Sequence, residues 1–270
     1  MTPQNLAESG KTSMAEKSSR TIGFVVAGAV FLVALLAVAV LIAAAAPEGA
    51  PSAAPAQNVG TITGSVVFQG TPPTRQRLDM SSDPVCSAKN PQPVIAQDGA
   101  VNPDGAVPNA FVYLKDVSGV FNPPSEPVVL DQNACMYVPH VVGVMVNQPL
   151  RIISSDATTH NIHFMSTQNP DWNQSQPPGA PPLVRKFAHP EIMIKVHCNE
   201  HPWMSAYVAV VSNPFYSVTG DSGAFTIKNV PPGEYTIGSW TAVFGTQDQK
   251  VTVKAGETTQ VKFTFTSSGK

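Results

Sequence analysis

Apolar positions along this chain fall into two regimes. From Ile22 to Ala46 (IGFVVAGAVFLVALLAVAVLIAAAA) every residue is apolar. From residue 60 onward, short runs of Val, Ile, Phe, Tyr and Thr alternate with polar positions and are cut by Gly, Pro, Asn or Asp.

The first regime predicts a helix that spans a membrane, because at about 1.5 Å per residue it covers a hydrocarbon layer of about 30 Å. A signal-peptide core is shorter, roughly 7 to 15 residues, although Ala43 to Ala46 imitate its small-residue cleavage site. We read the segment as an uncleaved anchor. Lys11, Lys17 and Arg20 precede it and no Lys or Arg follows until Arg75, so residues 1–21 form a cytoplasmic tail and the rest lies outside. The expected place is the inner (cytoplasmic) membrane, single-pass, with the C-terminal head in the periplasm or its equivalent. Residues 47–59, rich in Pro and Ala, read as an extended linker.

The second regime predicts an all-β head of β-sandwich or barrel type. Nine segments read as strands: GTITGSVVFQG, AFVYLKDV, MYVPHVVGVMV, PLRIISS, IMIKVHC, AYVAVVS, GAFTIKNV, GEYTIGSW and QVKFTF. Two irregular stretches interrupt them. Thr74 to Val107 carries Cys86 and several prolines, and Ser166 to Pro182 (STQNPDWNQSQPPGAPP) is polar and proline-rich; loops of that length commonly carry function. Trp172 in the second reads equally as an interaction residue and as a packing peg.

Charge then removes one class of partner. Formal net charge is −2 and 13% of residues are charged, with no Lys/Arg cluster beyond the anchor, so nucleic acid is not an expected partner.

Soft donors concentrate in CNEHPWM, residues 198 to 204. In IMIKVHC, strand alternation puts Ile192, Ile194, Val196 and Cys198 on an inward face and Met193, Lys195 and His197 on the other. Met204 is in phase with Ala206, Val208 and Val210, again an apolar face, and His201 lies at the apex between. A fourth donor comes from THNIHF, where His160, Ile162 and Phe164 share one face while Asn161, His163 and Met165 share the other. Two imidazoles, a thiolate and a thioether describe a mononuclear blue-copper site, a His₂Cys plane with a weak axial Met. Zinc does not normally recruit Met. A Cys198–His201 nucleophile pair is the competing reading, but no orienting third residue or oxyanion element accompanies it. His140 reads as a hydrogen-bonded core histidine, and His189 and His197 as surface residues, so no second histidine cluster is evident.

THNIHF and CNEHPWM resemble the two copper-binding segments of the cupredoxins, most closely the amicyanins and plastocyanin-like domains, over roughly residues 126–212. The resemblance implies a Greek-key cupredoxin β-sandwich. It implies one type-1 copper ion on His160, Cys198, His201 and Met204, with His163 beside it and unbound. Asn161 and Asn199 then brace the ligand loops by hydrogen bonds. By the same analogy the exposed edge of His201, flanked by Pro202 and Trp203, is the electron path. GDSGAFTIKNVPPGEYTI, residues 220–237, resembles the carboxypeptidase regulatory-like β-sandwich, and GTITGSVVFQGTPP resembles its opening strand. Residues 60–125 then form an N-terminal β-region of that sandwich and residues 213–270 its remainder, with the copper domain inserted within it or adjacent to it.

With Cys198 taken by metal, Cys86 and Cys135 are an even pair in an oxidising compartment and predict a disulfide. The expected function is outer-sphere electron transfer between redox proteins such as a c-type cytochrome, a dehydrogenase or a membrane oxidase complex. A copper with no open position offers substrate no place to bind, so the chain is not expected to be an enzyme. A copper carrier or store, or a structural subunit of a membrane respiratory complex, are the alternatives.

Overall fold

A computed structural model describes residues 58–267. The expected cytoplasmic tail, the apolar segment 22–46 and nearly all of the linker lie outside the described residues. Among the described residues no helix is long and apolar enough to cross a membrane.

The described chain starts with β1 (Gly60–Gln69), the short helix α1 (Pro84–Lys89) and β2 (Phe111–Leu114). Nine strands follow: β3 (Val128–Asn133), β4 (Met136–Val138), β5 (Val141–Met145), β6 (Leu150–Ser154), β7 (His160–Met165), β8 (Trp172–Gln176), β9 (Leu183–Arg185), β10 (Glu191–His197) and β11 (Ser205–Val211). The last five are β12 (Tyr216–Val218), β13 (Ala224–Val230), β14 (Gly233–Thr241), β15 (Gly245–Val253) and β16 (Thr258–Thr266).

These strands make four sheets. One runs β4-β3-β6-β9 and another β5-β11-β10-β7-β8, and their inner faces share a core that includes Leu130, Tyr137, Ile152, Ile162, Phe164, Val196 and Val208. The other two, β13-β1-β16 and β12-β2-β14-β15, enclose a second core around Val66, Phe111's neighbour Val112, Phe225, Ile237 and Phe263. Sequence order makes the nesting plain: β1 and β2 come before the first pair of sheets in the chain, and β12 to β16, their sheet partners, come after it.

Alternation explains most of the strands. In β16, Val261, Phe263 and Phe265 are buried while Lys262 is exposed, a two-residue period with one face toward the core. β5 breaks the pattern, since all five of its residues are buried. Its sheet is covered on both sides: Val142 and Val144 enter the first core, while Val141 and Met145 pack with Phe111, Ala209 and Val211 between the two sandwiches. Two glycines allow close approach there and in β1. A Cβ on Gly143 would lie 2.4 Å from the Tyr216 ring, and one on Gly64 would lie 1.8 Å from the Val261 carbonyl oxygen.

Four expectations need correction. MYVPHVVGVMV is two strands, β4 and β5, split around Pro139, whose nitrogen has no proton to give a ladder. The stretch from Ser166 to Pro182 is not wholly irregular, because β8 pairs along β7 as an edge strand; its Trp172 packs on Phe164 with ring centroids 5.6 Å apart. Thr74 to Val107 contains α1, begun by Asp83, whose carboxylate accepts from the Val85 and Cys86 N–H groups, with Pro84 at the first helical position. Ile192 is 39% exposed rather than inward. Met193 adopts a positive φ of 65° at a register shift, and that bulge reverses the phase before Ile194 re-enters the core.

Candidate metal centre

The site is assembled at one end of the first sandwich by β7, β10 and the turn that joins β10 to β11. His160, Ile162 and Phe164 alternate inward along β7, each fully buried. β10 lies antiparallel to β7 with His197 opposite His163, so Cys198, one residue on, turns inward at 1% exposure. The turn closes through hydrogen bonds from Met204 N–H to the His201 carbonyl, 2.9 Å, and from Cys198 N–H to the Met204 carbonyl, 3.3 Å. Met204 is fully buried in the same core as Cys198.

This geometry brings three donor atoms together. His160 Nδ1 and His201 Nδ1 are 2.9 Å apart, and Cys198 Sγ is 3.7 Å from His201 Nδ1. One ligand atom from each residue lies within 4.8 Å of the other two, and all three residues are buried.

A carboxylate stands behind each imidazole. His160 Nε2 is 3.0 Å from Asp156 Oδ2, and His201 Nε2 is 3.0 Å from Asp83 Oδ2. A proton on each Nε2 directs a lone pair from each Nδ1 toward the other and toward sulfur. Two such lone pairs 2.9 Å apart in a buried site repel unless a proton or a cation lies between them. Nitrogen and sulfur donors about 2.0–2.3 Å from one ion take up spacings of this size, so the residues fit a soft or borderline metal.

Both carboxylates are held as anions. Burial works against the Asp83 charge, but hydrogen bonds from the Cys86 N–H, His201, Thr158 and the Val85 N–H outweigh it and pull Asp83 down to about 2. Asp156 is likewise lowered despite burial, by Lys89 at 2.7 Å, the Cys135 N–H and His160. Burial lowers the His160 pKa, and neighbouring His201 adds to the effect, with Asp156 opposing. The uncharged imidazole is the form that binds metal.

Cys86 and Cys135 form a disulfide across α1 and the turn after β3. Cys86 groups with Asp83 and His201, and Cys135 with Asp156 and His160, each set offering ligand atoms within 4.8 Å. Sulfurs joined to each other are not thiolates, so these sets hold structure, not metal. The bridge anchors Asp83 and α1 over one imidazole.

That arrangement overturns one expectation. His201 presents no open edge: it is 4% exposed, with Asp83 on Nε2 and the Trp203 ring 4.9 Å away. Asp83, from the long segment between β1 and β2, lies against it. Pro202 remains exposed and Trp203 half-buried, its Nε1–H donating to the Cys135 carbonyl at 3.1 Å. Both border a cleft of about 1000 Å³ between Leu78 and Asp79 on one side and His197 and Cys198 on the other.

Asn161 braces the loop in a specific way. Its N–H points at Cys198 Sγ, 3.4 Å, its Oδ1 accepts from the Asn199 and Glu200 N–H groups, and its Nδ2 donates to Asn173 Oδ1 at 2.6 Å. Asn199 is exposed and contributes its backbone N–H. His140 is a core histidine, bonded to the Ser205 carbonyl at 3.1 Å and Asp98 at 2.8 Å. His189 is exposed.

Asp83 and Asp156 are the residues that sequence reasoning missed. Asp156 lies four residues before His160, a local signal; Asp83 is distant in sequence, and only the N-cap pattern around Pro84 marks it. The register that sets Cys198 inward also places His163 and His197 side by side, ring centroids 4.7 Å apart.

Fold and site together define an all-β protein with a buried His–Cys–His donor set. A family model described as polysaccharide lyase family 4, domain II, matches residues 205–261, less than half of the chain. It takes in β11, read as part of the copper domain, and most of the strands read as regulatory-like, and it describes a different family. None of the curated proteins matches. Among solved structures, an oxidised mutant of amicyanin is similar at 20% identity over 32% of this chain and 82% of that one, TM-score 0.29. A purple cupredoxin from Nitrosopumilus maritimus is similar at 18% identity over 31% and 99%, TM-score 0.27. A copper-containing nitrite reductase from Thermus scotoductus is similar at 14% identity over 55% and 28%, TM-score 0.30.

Proposed function

We propose that the chain is a copper protein that passes single electrons between redox proteins, with its head held outside the cytoplasmic membrane by segment 22–46. The observation that carries this reading is the convergence of His160 Nδ1, His201 Nδ1 and Cys198 Sγ, each buried, each imidazole already fixed by a carboxylate. A bound copper ion would supply the one-electron couple.

The residues account for the rest. His160, Cys198, His201 and Met204 would hold the ion; a thiolate and a thioether favour Cu(I), while imidazole accepts both oxidation states. Asp83 and Asp156 orient the two rings, and Asn161 ties the β7 strand to the turn after Cys198, so the donors keep their places when charge changes. Hydrophobic side chains from the first core keep the donor set dry. With His201 covered by Asp83, electrons reach the thiolate from the cleft beside Pro202 and Trp203, where Cys198 forms part of the wall. Proteins with a matching surface are the expected partners.

Loading the full chain with Cu(II) tests the assignment. An intense thiolate-to-copper absorption band with narrow hyperfine splitting in the EPR spectrum is expected, and both should vanish in Cys198→Ser. An unchanged visible spectrum in that variant removes Cys198 from the centre and the proposal with it.

A further inference from the structure

We propose that His163 and His197 form a second metal site, on the outer face of the β7–β10 pair, for a borderline divalent transition cation, Cu²⁺ in preference to Zn²⁺. It shares no ligand with the buried donor set.

The register carries the argument. His163 and His197 are directly opposite each other on antiparallel strands, where Cβ atoms stand about 4.5–5.5 Å apart. Their rings are 4.7 Å apart between centroids and inclined at 47°. Stacking alone would leave the polar atoms to find partners elsewhere, yet neither Nδ1 has one. Both are shielded from solvent and without a hydrogen bond to protein. Buried polar atoms are rarely left so, at a cost of about 1–3 kcal/mol each.

A hydrogen bond then orients one ring of the pair. Asp171 Oδ1 lies 3.0 Å from His163 Nε2, which places the proton on Nε2 and a lone pair on Nδ1, the same carboxylate–imidazole arrangement that Asp83 and Asp156 give the buried ligands. His197 is half-buried and carries no carboxylate. Met165, 51% exposed, projects from the same face of β7 and adds a soft neighbour. Lys195, opposite Met165, opposes cation binding, so the affinity comes from the two nitrogens. Two imidazole nitrogens suit Cu²⁺ best among first-row divalent ions.

The test is a Cu²⁺ titration of the full chain followed by EPR and metal analysis, with each donor set removed in turn. Two ions per chain are expected, the second with an ordinary, wide hyperfine spectrum. His197→Ala and His163→Ala should each remove only that second signal, while Cys198→Ser should spare it. Asp171→Asn should weaken the second site about tenfold. The absence of any bound ion that His197→Ala and His163→Ala remove, whatever the number of ions per chain, overturns the proposal. Loss of the first signal alone, in Cys198→Ser, bears only on the electron-transfer reading, so the two stand or fall separately.

Discussion

Replacing both Cys86 and Cys135 by Ala should cost about 4 kcal/mol of stability. The bridge closes a loop with a sequence separation of 49. On the chain-entropy model such a cross-link removes about 14 cal/mol/K from the unfolded ensemble, or roughly 4 kcal/mol at 25 °C. Both cysteines are fully buried, so alanine is a better replacement than serine, whose hydroxyl would have to be satisfied in the core. The two residues also anchor α1, although Asn90 Nδ2 still bonds the Ala134 carbonyl at 3.0 Å and Thr158 still reaches Asp83 at 2.8 Å. The helix should therefore stay in place while the whole domain loses stability. Urea unfolding followed by tryptophan fluorescence reads the effect as a lower midpoint. Reduction of the native protein by a small dithiol provides the control without a cavity. A loss below about 1 kcal/mol in both experiments would refute the loop-closure reasoning, and would mean that the unfolded chain is already held together across this segment.

Met204→Gln should retain copper but lower the reduction potential, since an amide oxygen favours the oxidised ion more than a thioether does; cyclic voltammetry beside wild type checks this, and an unchanged potential would remove Met204 from the donor set. Glu191 offers a pH test away from the metal. Burial opposes its charge, but hydrogen bonds from Ser166, Asn169 and the Thr167 and Gln168 N–H groups draw its pKa down to about 2. Its stabilisation is therefore complete above the ordinary value of 4.5 and fades as pH falls toward 2. The difference in thermal midpoint between wild type and Glu191→Gln should shrink over that window, and a constant difference would contradict it. Gly143→Ala should destabilise by about 1–3 kcal/mol by forcing the Tyr216 ring away from β5; an unchanged melting temperature would show that the two sandwiches adjust freely.

Much of the candidate site could be read along the chain because its donor residues are local. Cys198, His201 and Met204 lie on one turn, and strand period alone separates inward His160 from outward His163. The same period failed at Ile192, because a positive φ at Met193 shifts the phase and side-chain identity does not announce a bulge. It also missed β15, whose GTQDQKVTV is polar over most of its length and buries only Val251 and Val253. Such a strand is specified by its neighbours β14 and β16 more than by its own composition.

Sequence by itself therefore determined the all-β class, the inward set of donors and the pairing of the only two cysteines outside CNEHPWM, since these depend on periodicity, spacing and parity. Tertiary structure decided what lies behind and above those donors. Asp83 reaches His201 across a sequence separation of 118, and Asn161 reaches the Asn199 N–H across 38. Neither contact has a local signature, because a hydrogen bond between distant segments depends on how the sheets stack and where an insertion folds back. The covering of His201 and the meeting of His163 with His197 follow from those same long-range choices of register, which local patterning biases but only the packed sheets fix.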